Sequence, residues 1–260
     1  LAQGSLGAGE SYMDGWWDCA QLDEMLARVL RSELDRRLHP AGALKLATLA
    51  ALRNPQSLRR AFIVGRAHFD IGDDLFERML DTRMIYSCAF WDRAGDLATA
   101  QEAKLDLVCR KLGLASGMRV LDIGCGWGGA AQFAAEHYGV EVTGITVSKH
   151  QAEAAAARCS GLPVDIRLED YRRHSASYDR IWSIGMFEHV GVRNYRAYLR
   201  KVRELLRPDG LFLLHTIGSN TSVRSTDPWI DKYIFPNSML PSVAQIARAA
   251  ERWWVIEDWH

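Results

Sequence analysis

A few residues stand out for the chemistry their types and spacing allow. Asp122 precedes a glycine-rich run in Val120-Leu-Asp-Ile-Gly-Cys-Gly-Trp-Gly-Gly129. Glu188 and His189 follow one apolar stretch, His215 closes another, and Cys88 sits in Tyr86-Ser-Cys-Ala-Phe-Trp91. Gly124, Gly126 and Gly128 let the backbone turn tightly and approach a ligand closely. The helix expected after them offers free N–H groups at its start. Glu188 and His215 could form an acid–base pair, or orient a small anion through hydrogen bonds. Each also has a purely structural reading. Glu188 can be a helix cap, His215 a core histidine, and Cys88 and Cys125 small packing residues. No base adjoins Cys88 in sequence, so it is not read as a nucleophile. His189 has no second His or Cys at metal spacing, so no metal is expected.

Two cofactors compete for the glycine turn. Gly124, Gly126 and Gly129 satisfy G-x-G-x-x-G, by itself a weak sign of a dinucleotide. That reading needs an acid at the end of the next strand, which instead ends Gly144-Ile-Thr-Val-Ser148; Glu141 lies at its start. Asp122, two residues before the first glycine, suits a positively charged ligand. This D-x-G-x-G form resembles motif I of class I S-adenosylmethionine (SAM) methyltransferases.

The elements that must position these residues alternate from residue 100 onward. Helices are expected at Glu102–Leu112, Gly129–Tyr138 (closed by Gly139), Ser148–Cys159 and Tyr195–Leu206. Ser148 and Gln151 are read as a capping box. Strands are expected at Arg119–Ile123, Val140–Val147, Val164–Leu168, Arg180–Ile184, Leu211–Thr216 and Trp253–Asp258. Strands separated by helices of this length imply an α/β fold, a mostly parallel, doubly wound sheet with helices on both faces. Ligands on such sheets bind beyond the carboxyl ends of the strands.

The N-terminal part differs. Leu22, Met25, Leu26, Val29, Leu30 and Leu34 give residues 21–38 a helical apolar stripe. Leu44–Leu52 reads as a second helix, and Asn54-Pro55 breaks the pattern. Residues 1–65 are therefore read as a small helical domain and 66–260 as the α/β domain. Between Arg28 and Arg66 stand nine basic and two acidic residues, although the 260-residue chain is neutral overall. That face is either a solvated helix surface or a site attracted to anionic lipid headgroups. No nucleic-acid motif accompanies it, so no nucleic-acid partner is expected. No run of about 18 apolar residues occurs, so no membrane-spanning helix is expected. Five widely spaced cysteines without a CxxC argue against a disulfide framework and for a cytoplasmic protein.

Other strings are more specific. They are His68-Phe-Asp-Ile-Gly72, Tyr86–Trp91, Gly185-Met-Phe-Glu-His-Val-Gly191, Leu214-His-Thr-Ile-Gly218, Pro228-Trp-Ile-Asp-Lys-Tyr-Ile-Phe-Pro-Asn237 and Glu257-Asp-Trp-His260. With the glycine turn they resemble the bacterial cyclopropane-fatty-acyl-phospholipid synthases across nearly the whole chain. Gly4–Trp17 is similar to that family's N-terminal domain, which the related mycolic-acid cyclopropane synthases lack.

The resemblance implies a class I SAM-methyltransferase fold and a reaction. The cis double bond of an unsaturated phospholipid acyl chain attacks the methyl of SAM, a carbocation forms, a proton leaves the transferred methyl, and the ring closes. It implies a bicarbonate ion as proton acceptor, held by Cys88, Glu188, His215 and Ile217. SAM contacts would fall on Tyr86, Ser87, Asp122, Gly124, Gly126, Thr146, Gln151, Asp170 and Tyr171. Phe187, Tyr86, Phe90 and Trp91 are candidates to shield a cation. A homodimer at the inner membrane surface is the family expectation. The alternative is a SAM methyltransferase that adds a methyl or methylene branch to acyl or mycolic chains.

The chain opens at Leu1 and stops at His260, and both ends read as cut from a longer protein. A family tyrosine beyond Glu257–His260, and the strand expected between Leu211–Thr216 and Trp253–Asp258, would then be missing. Instability or impaired catalysis of these 260 residues alone is the corresponding expectation.

Overall fold

The computed structural model describes residues 4–32, 73–223 and 225–260. The helix expected at Leu44–Leu52, the string His68–Gly72 and most of the basic stretch lie outside them. The chain divides into two compact units, Leu1–Pro55 with Ser225–Asn237, and Gln56–Arg224 with Ser238–His260.

In the first unit the described helices are Gly4–Met13 (α1), Leu22–Arg31 (α2) and, from the later segment, Pro228–Tyr233. The stripe expected over 21–38 is helical over Leu22–Arg31, and its remainder lies outside the described residues. The Tyr233 hydroxyl donates to Glu10 Oε1 at 2.8 Å, and Lys232 pairs with the same carboxylate. Gly9 is required at that contact, because a Cβ there would lie 2.3 Å from the Trp229 ring.

The second unit begins, among described residues, with helices Asp73–Met79 (α3) and Leu97–Lys111 (α4). Then come strand Arg119–Ile123 (β1), helix Gly129–Tyr138 (α5), strand Glu141–Thr146 (β2), helix Lys149–Arg158 (α6) and strands Val164–Leu168 (β3) and Tyr178–Ile184 (β4). A 3₁₀ turn Phe187–His189 leads to helix Tyr195–Leu205 (α7) and strand Leu206–His215 (β5). Counting Pro228–Tyr233 as α8, the last helix is Val243–Ala250 (α9).

The five strands are parallel, in the order β3-β2-β1-β4-β5. Alternation along a strand sends neighbouring side chains to opposite faces. Leu121 and Ile123 of β1 pack with Tyr195, Tyr198, Leu199 and Val202 of α7 and with Ala249 and Ala250 of α9. Val120 packs on the other face with Trp182, Leu105 and Val108 of α4 and Ala131 and Phe133 of α5. Asp122 shares its parity with Val120, so it belongs to the α4 face. Its register partner on β4 is Trp182.

Three expectations need correction. β5 begins at Leu206 rather than Leu211, because Leu206 already pairs with Tyr178. The ladder then skips past Pro208-Asp209-Gly210 and resumes at Arg180 with Leu211; proline supplies no N–H there. Trp253–Asp258 forms no strand. A strand needs a ladder partner for its backbone groups, and this segment is held by side chains instead. The Trp254 indole N–H donates to the Leu199 carbonyl at 3.3 Å, and its ring lies 5.5 Å from Phe212. Finally, the Ser148–Gln151 box is only half made. The Ser148 hydroxyl accepts the Gln151 N–H at 3.2 Å, but Gln151 Oε1 accepts from the Thr146 hydroxyl. A reciprocal capping box caps α9 instead, from Ser242 and Gln245, an S-x-x-Q spacing readable in the sequence.

Candidate active site

The glycine turn leaves β1 at Ile123. Gly124, Gly126 and Gly128 all have positive φ, at 87°, 53° and 81°. A Cβ on Gly124 would lie 2.7 Å from Met186, whereas one on Gly126 would meet nothing within 4 Å. The Gly124 and Cys125 amides donate to the Ile145 carbonyl at 2.9 and 3.1 Å, which ties the turn to β2. At the end of β2 the Thr146 hydroxyl donates to Gln151 Oε1 at 3.2 Å and accepts the Ser148 amide at 3.2 Å. The Thr146 carbonyl accepts the Glu169 amide at 2.9 Å, which brings Asp170 and Tyr171 to the same edge. Asp170 is buried and held by Arg172 through its amide, Nε and guanidinium NH₂. Tyr171 lies edge-on to Tyr198 at 5.0 Å, and burial pushes its hydroxyl up to about 12.

Asp122 is 2% exposed and its Oδ2 has no hydrogen-bond partner. Burial pushes its carboxyl up to about 7, against the pull of the Trp182 indole and the Lys104 ammonium. An unpaired buried oxygen costs on the order of 1–3 kcal/mol. It is a reason for a charged or hydrogen-bonding ligand to sit beside the turn.

A second cluster lies at the ends of β4 and β5. Cys88 Sγ and His215 Nε2 are 3.4 Å apart. Two residues beyond His215, the Ile217 amide donates to Glu188 Oε1 at 2.7 Å. Glu188 is buried, its Oε2 is unpartnered, and burial raises its carboxyl above the usual range. His215 Nδ1 is also buried and unpartnered. Burial, then the positive charge of Lys104, lowers the imidazole below its ordinary value. The four expected residues thus form two contacting pairs, Cys88 with His215 and Ile217 with Glu188, joined by the two-residue step of backbone from His215 to Ile217. The Ile217 side chain itself is exposed, so its hydrogen bond to Glu188 is made by its backbone.

Of the expected aromatic walls, Phe187 is fully buried with Tyr195 stacked at 4.3 Å; it is a core ring. Tyr86 and Trp91 are exposed in part, and Phe76 meets the Tyr86 ring edge-on at 5.4 Å. Among the described residues, no group of three or more His, Cys, Asp and Glu side chains could hold a metal ion, and no helix is long and apolar enough to cross a membrane.

Sequence reasoning missed two residues of α4. The Lys104 ammonium donates to the Ser87 hydroxyl at 2.7 Å, and Gln101 Nε2 donates to the Ser87 carbonyl at 2.8 Å. The signal was present: both occupy the helix's buried face with Ala100, Leu105 and Val108.

The family model for mycolic acid cyclopropane synthetase matches residues 56–260. A cyclopropane-fatty-acyl-phospholipid synthase of Escherichia coli is 55% identical over 262 residues, covering 100% of this chain and 68% of that protein. The chain belongs to the cyclopropane synthase family of SAM-dependent enzymes. Cyclopropane mycolic acid synthase 1 of Mycobacterium tuberculosis is 38% identical, covering 75% of each chain. The crystal structure of mycolic acid cyclopropane synthase CmaA1 complexed with SAH and CTAB superposes with a TM-score of 0.67 at 36% identity, over 73% of each chain. The class I methyltransferase fold expected from the sequence is thereby shown. The E. coli protein matches the N-terminal residues too, whereas the M. tuberculosis protein matches three quarters of the chain.

Proposed function

We propose that this protein transfers a methylene from SAM to the cis double bond of unsaturated phospholipid acyl chains, making a cyclopropane ring. The observation that carries the reading is the cluster of Cys88, His215, Ile217 and Glu188 beside the glycine turn, with buried polar atoms still unpaired.

SAM supplies an electrophilic methyl carbon, and a bicarbonate ion supplies a base for the proton that leaves it. The residues present fit both groups. Asp122 offers a free carboxylate oxygen at the turn, and Gly126 leaves space where any other residue would carry a Cβ. Tyr86, Ser87, Gly124, Thr146, Gln151, Asp170 and Tyr171 would complete the cofactor site. At the second cluster, burial favours a neutral Glu188 and a neutral His215. A neutral carboxyl can donate from Oε2 while Oε1 accepts from Ile217. With the Cys88 thiol donating to Nε2, the ring proton resides on Nδ1, the unpartnered nitrogen. Two such donors would hold a small anion. An alkene is a weak nucleophile, so positioning must supply much of the rate; Tyr86 and Trp91 would flank the acyl chain.

The protein would work as a homodimer, peripherally bound to the inner face of the membrane and drawn there by its basic stretch. Binding to anionic vesicles should then weaken steeply with salt; binding unchanged at high salt would remove the electrostatic part of the proposal. The deciding experiment is lipid mass spectrometry and NMR of cells expressing the full-length protein. A gain of one methylene per unsaturated chain with ring protons is expected. A methylene or methyl branch would favour the acyl-branching alternative, and unmodified lipids would refute both.

A further inference from the structure

The segment that carries Cys88 is gripped from several sides. Asp81, itself buried, accepts the Ile85 amide at 2.8 Å and the Arg83 amide at 3.1 Å. The Arg83 carbonyl presses so closely on Gly129 that a Cβ there would lie 2.1 Å from it. Gln101 Nε2 donates to the Ile85 carbonyl at 3.3 Å and the Ser87 carbonyl at 2.8 Å. Three residues on, along the same face of α4, the Lys104 ammonium donates to the Ser87 hydroxyl at 2.7 Å. The Phe90 amide donates to the Ala100 carbonyl at 3.1 Å. Gln101 and Lys104 are 2% and 4% exposed, so neither is there for solubility.

A lysine is seldom buried without a carboxylate in salt-bridge contact. The Lys104 ammonium bonds the Ser87 hydroxyl, with the acidic groups of Asp81, Asp122 and Cys88 around it and no ion pair to any of them. Burial lowers its ammonium to about 8. Fold stability alone would be served by methionine, which fills similar volume without the desolvation cost.

We propose that Lys104 is a positioning residue for the reaction: through Ser87 it fixes the Tyr86–Ser87–Cys88 segment so that the Cys88 thiol meets His215, and it keeps a positive charge beside that pair. The charge discourages imidazolium formation at His215, so His215 stays a neutral hydrogen-bonding group. The groups bearing on His215 are Cys88 from the clamped segment, Lys104 from α4, and Glu188 by way of the Ile217 backbone. The proposal rests on the reading of Cys88 and His215 as reaction-centre residues.

The test compares Lys104→Met, Lys104→Arg and Ser87→Ala in the full-length protein with the wild type. Lys104→Met should lower kcat about 100-fold, the effect expected of misplacing a reacting group by about an ångström. KM for unsaturated phospholipid vesicles should stay within about threefold. The acid limb of its pH–rate profile should move to higher pH, because removing a nearby cation eases protonation of His215. Ser87→Ala loosens the clamp but leaves the charge, so it should lower kcat with the acid limb in place. Lys104→Arg should recover part of the rate and the original limb. Amide exchange at Ile85–Cys88 should quicken in Lys104→Met and Ser87→Ala. Should Lys104→Met fail to fold, Ser87→Ala and Lys104→Arg carry the test. Unchanged kcat and unchanged exchange in a folded Lys104→Met or Ser87→Ala would overturn the proposal. A wild type that makes no cyclopropane lipid would refute the functional reading instead, while the exchange data still decide whether the clamp exists.

Discussion

The carboxyl edge of the sheet has two sides that treat buried polar groups differently. On the β2–β3 side they are matched internally. Asp170 takes three hydrogen bonds from Arg172, Thr146 and Gln151 bond each other, and the buried His174 lies between Glu169 and the Tyr178 hydroxyl at 2.9 and 2.8 Å. On the β1–β4–β5 side, Asp122 Oδ2, Glu188 Oε2, His215 Nδ1 and Gln101 Oε1 are buried and unpaired. Both sides pack against helices, so dense packing is not the difference. Folded proteins pair more than nine in ten buried polar groups. Four such atoms gather near the glycine turn and the Cys88–His215 contact, although others, such as Trp182 Nε1 and the Tyr195 and Tyr198 hydroxyls, are core groups; under the proposed function the partners of the four would be ligands. The groups named on the β2–β3 side are paired within the fold, and the four on the other side are not.

That contrast orders the expected effects of substitution. Glu188→Ala or His215→Ala should cut turnover at least 100-fold while the SAM dissociation constant, read by calorimetry, moves less than about threefold; normal turnover in both would end the assignment. Asp122→Asn should act the other way round. It should weaken SAM about 10- to 100-fold, the usual worth of a hydrogen bond to a charged group, in the same titration. Next is the pH dependence of the unliganded protein. The Asp122 carboxyl lies near 7 when folded against 3.8 in its ordinary state. A raised carboxyl favours folding at low pH, and that contribution is lost as pH rises from about 4 through about 7. The melting temperature of wild type should therefore fall relative to Asp122→Asn between pH 5 and 8; parallel curves would show that Asp122 is not held up by burial. Gly126→Ala should cost about 1 kcal/mol or so in stability, since only its φ is strained, yet weaken SAM. Gly124→Ala should be worse for the fold because of Met186. The smallest effect on turnover is expected at His174→Ala, which removes a buried group already satisfied by Glu169 and the Tyr178 hydroxyl. Its cost should appear as about 1–3 kcal/mol in denaturant unfolding, and a turnover loss as large as that of Glu188→Ala would erase the distinction between the two sides.

The glycine turn, the strands β1 and β3, and helices α5 and α7 were legible because each is a local pattern: apolar runs, helical spacing, glycine at a cap. Boundaries slipped where long-range pairing overrode local signals. β5 starts early because Tyr178 supplies a partner for Leu206, and Trp253–Asp258 is irregular because no neighbouring strand pairs with it. Gln151 looked like a cap partner in sequence, but the end of β2 offered it Thr146 instead. Phe187 looked available to a cationic intermediate until Tyr195 was seen stacked on it.

From residue order followed the parallel α/β architecture, the choice of Asp122 over Glu141 as the telling acid and, only through the resemblance to the cyclopropane-fatty-acyl-phospholipid synthases, the set Cys88, Glu188, His215 and Ile217. These rest on residue type, periodicity and motif, which a chain carries wherever it goes. What only the folded chain decided is who faces whom. Cys88 reaches His215, 127 positions away in the sequence, and Lys104 enters the site because α4 lays that face of the helix over Asp122 and Ser87. Burial and proximity belong to the assembled structure, and they move protons: they raise Asp122 and Glu188 and lower Lys104 and His215.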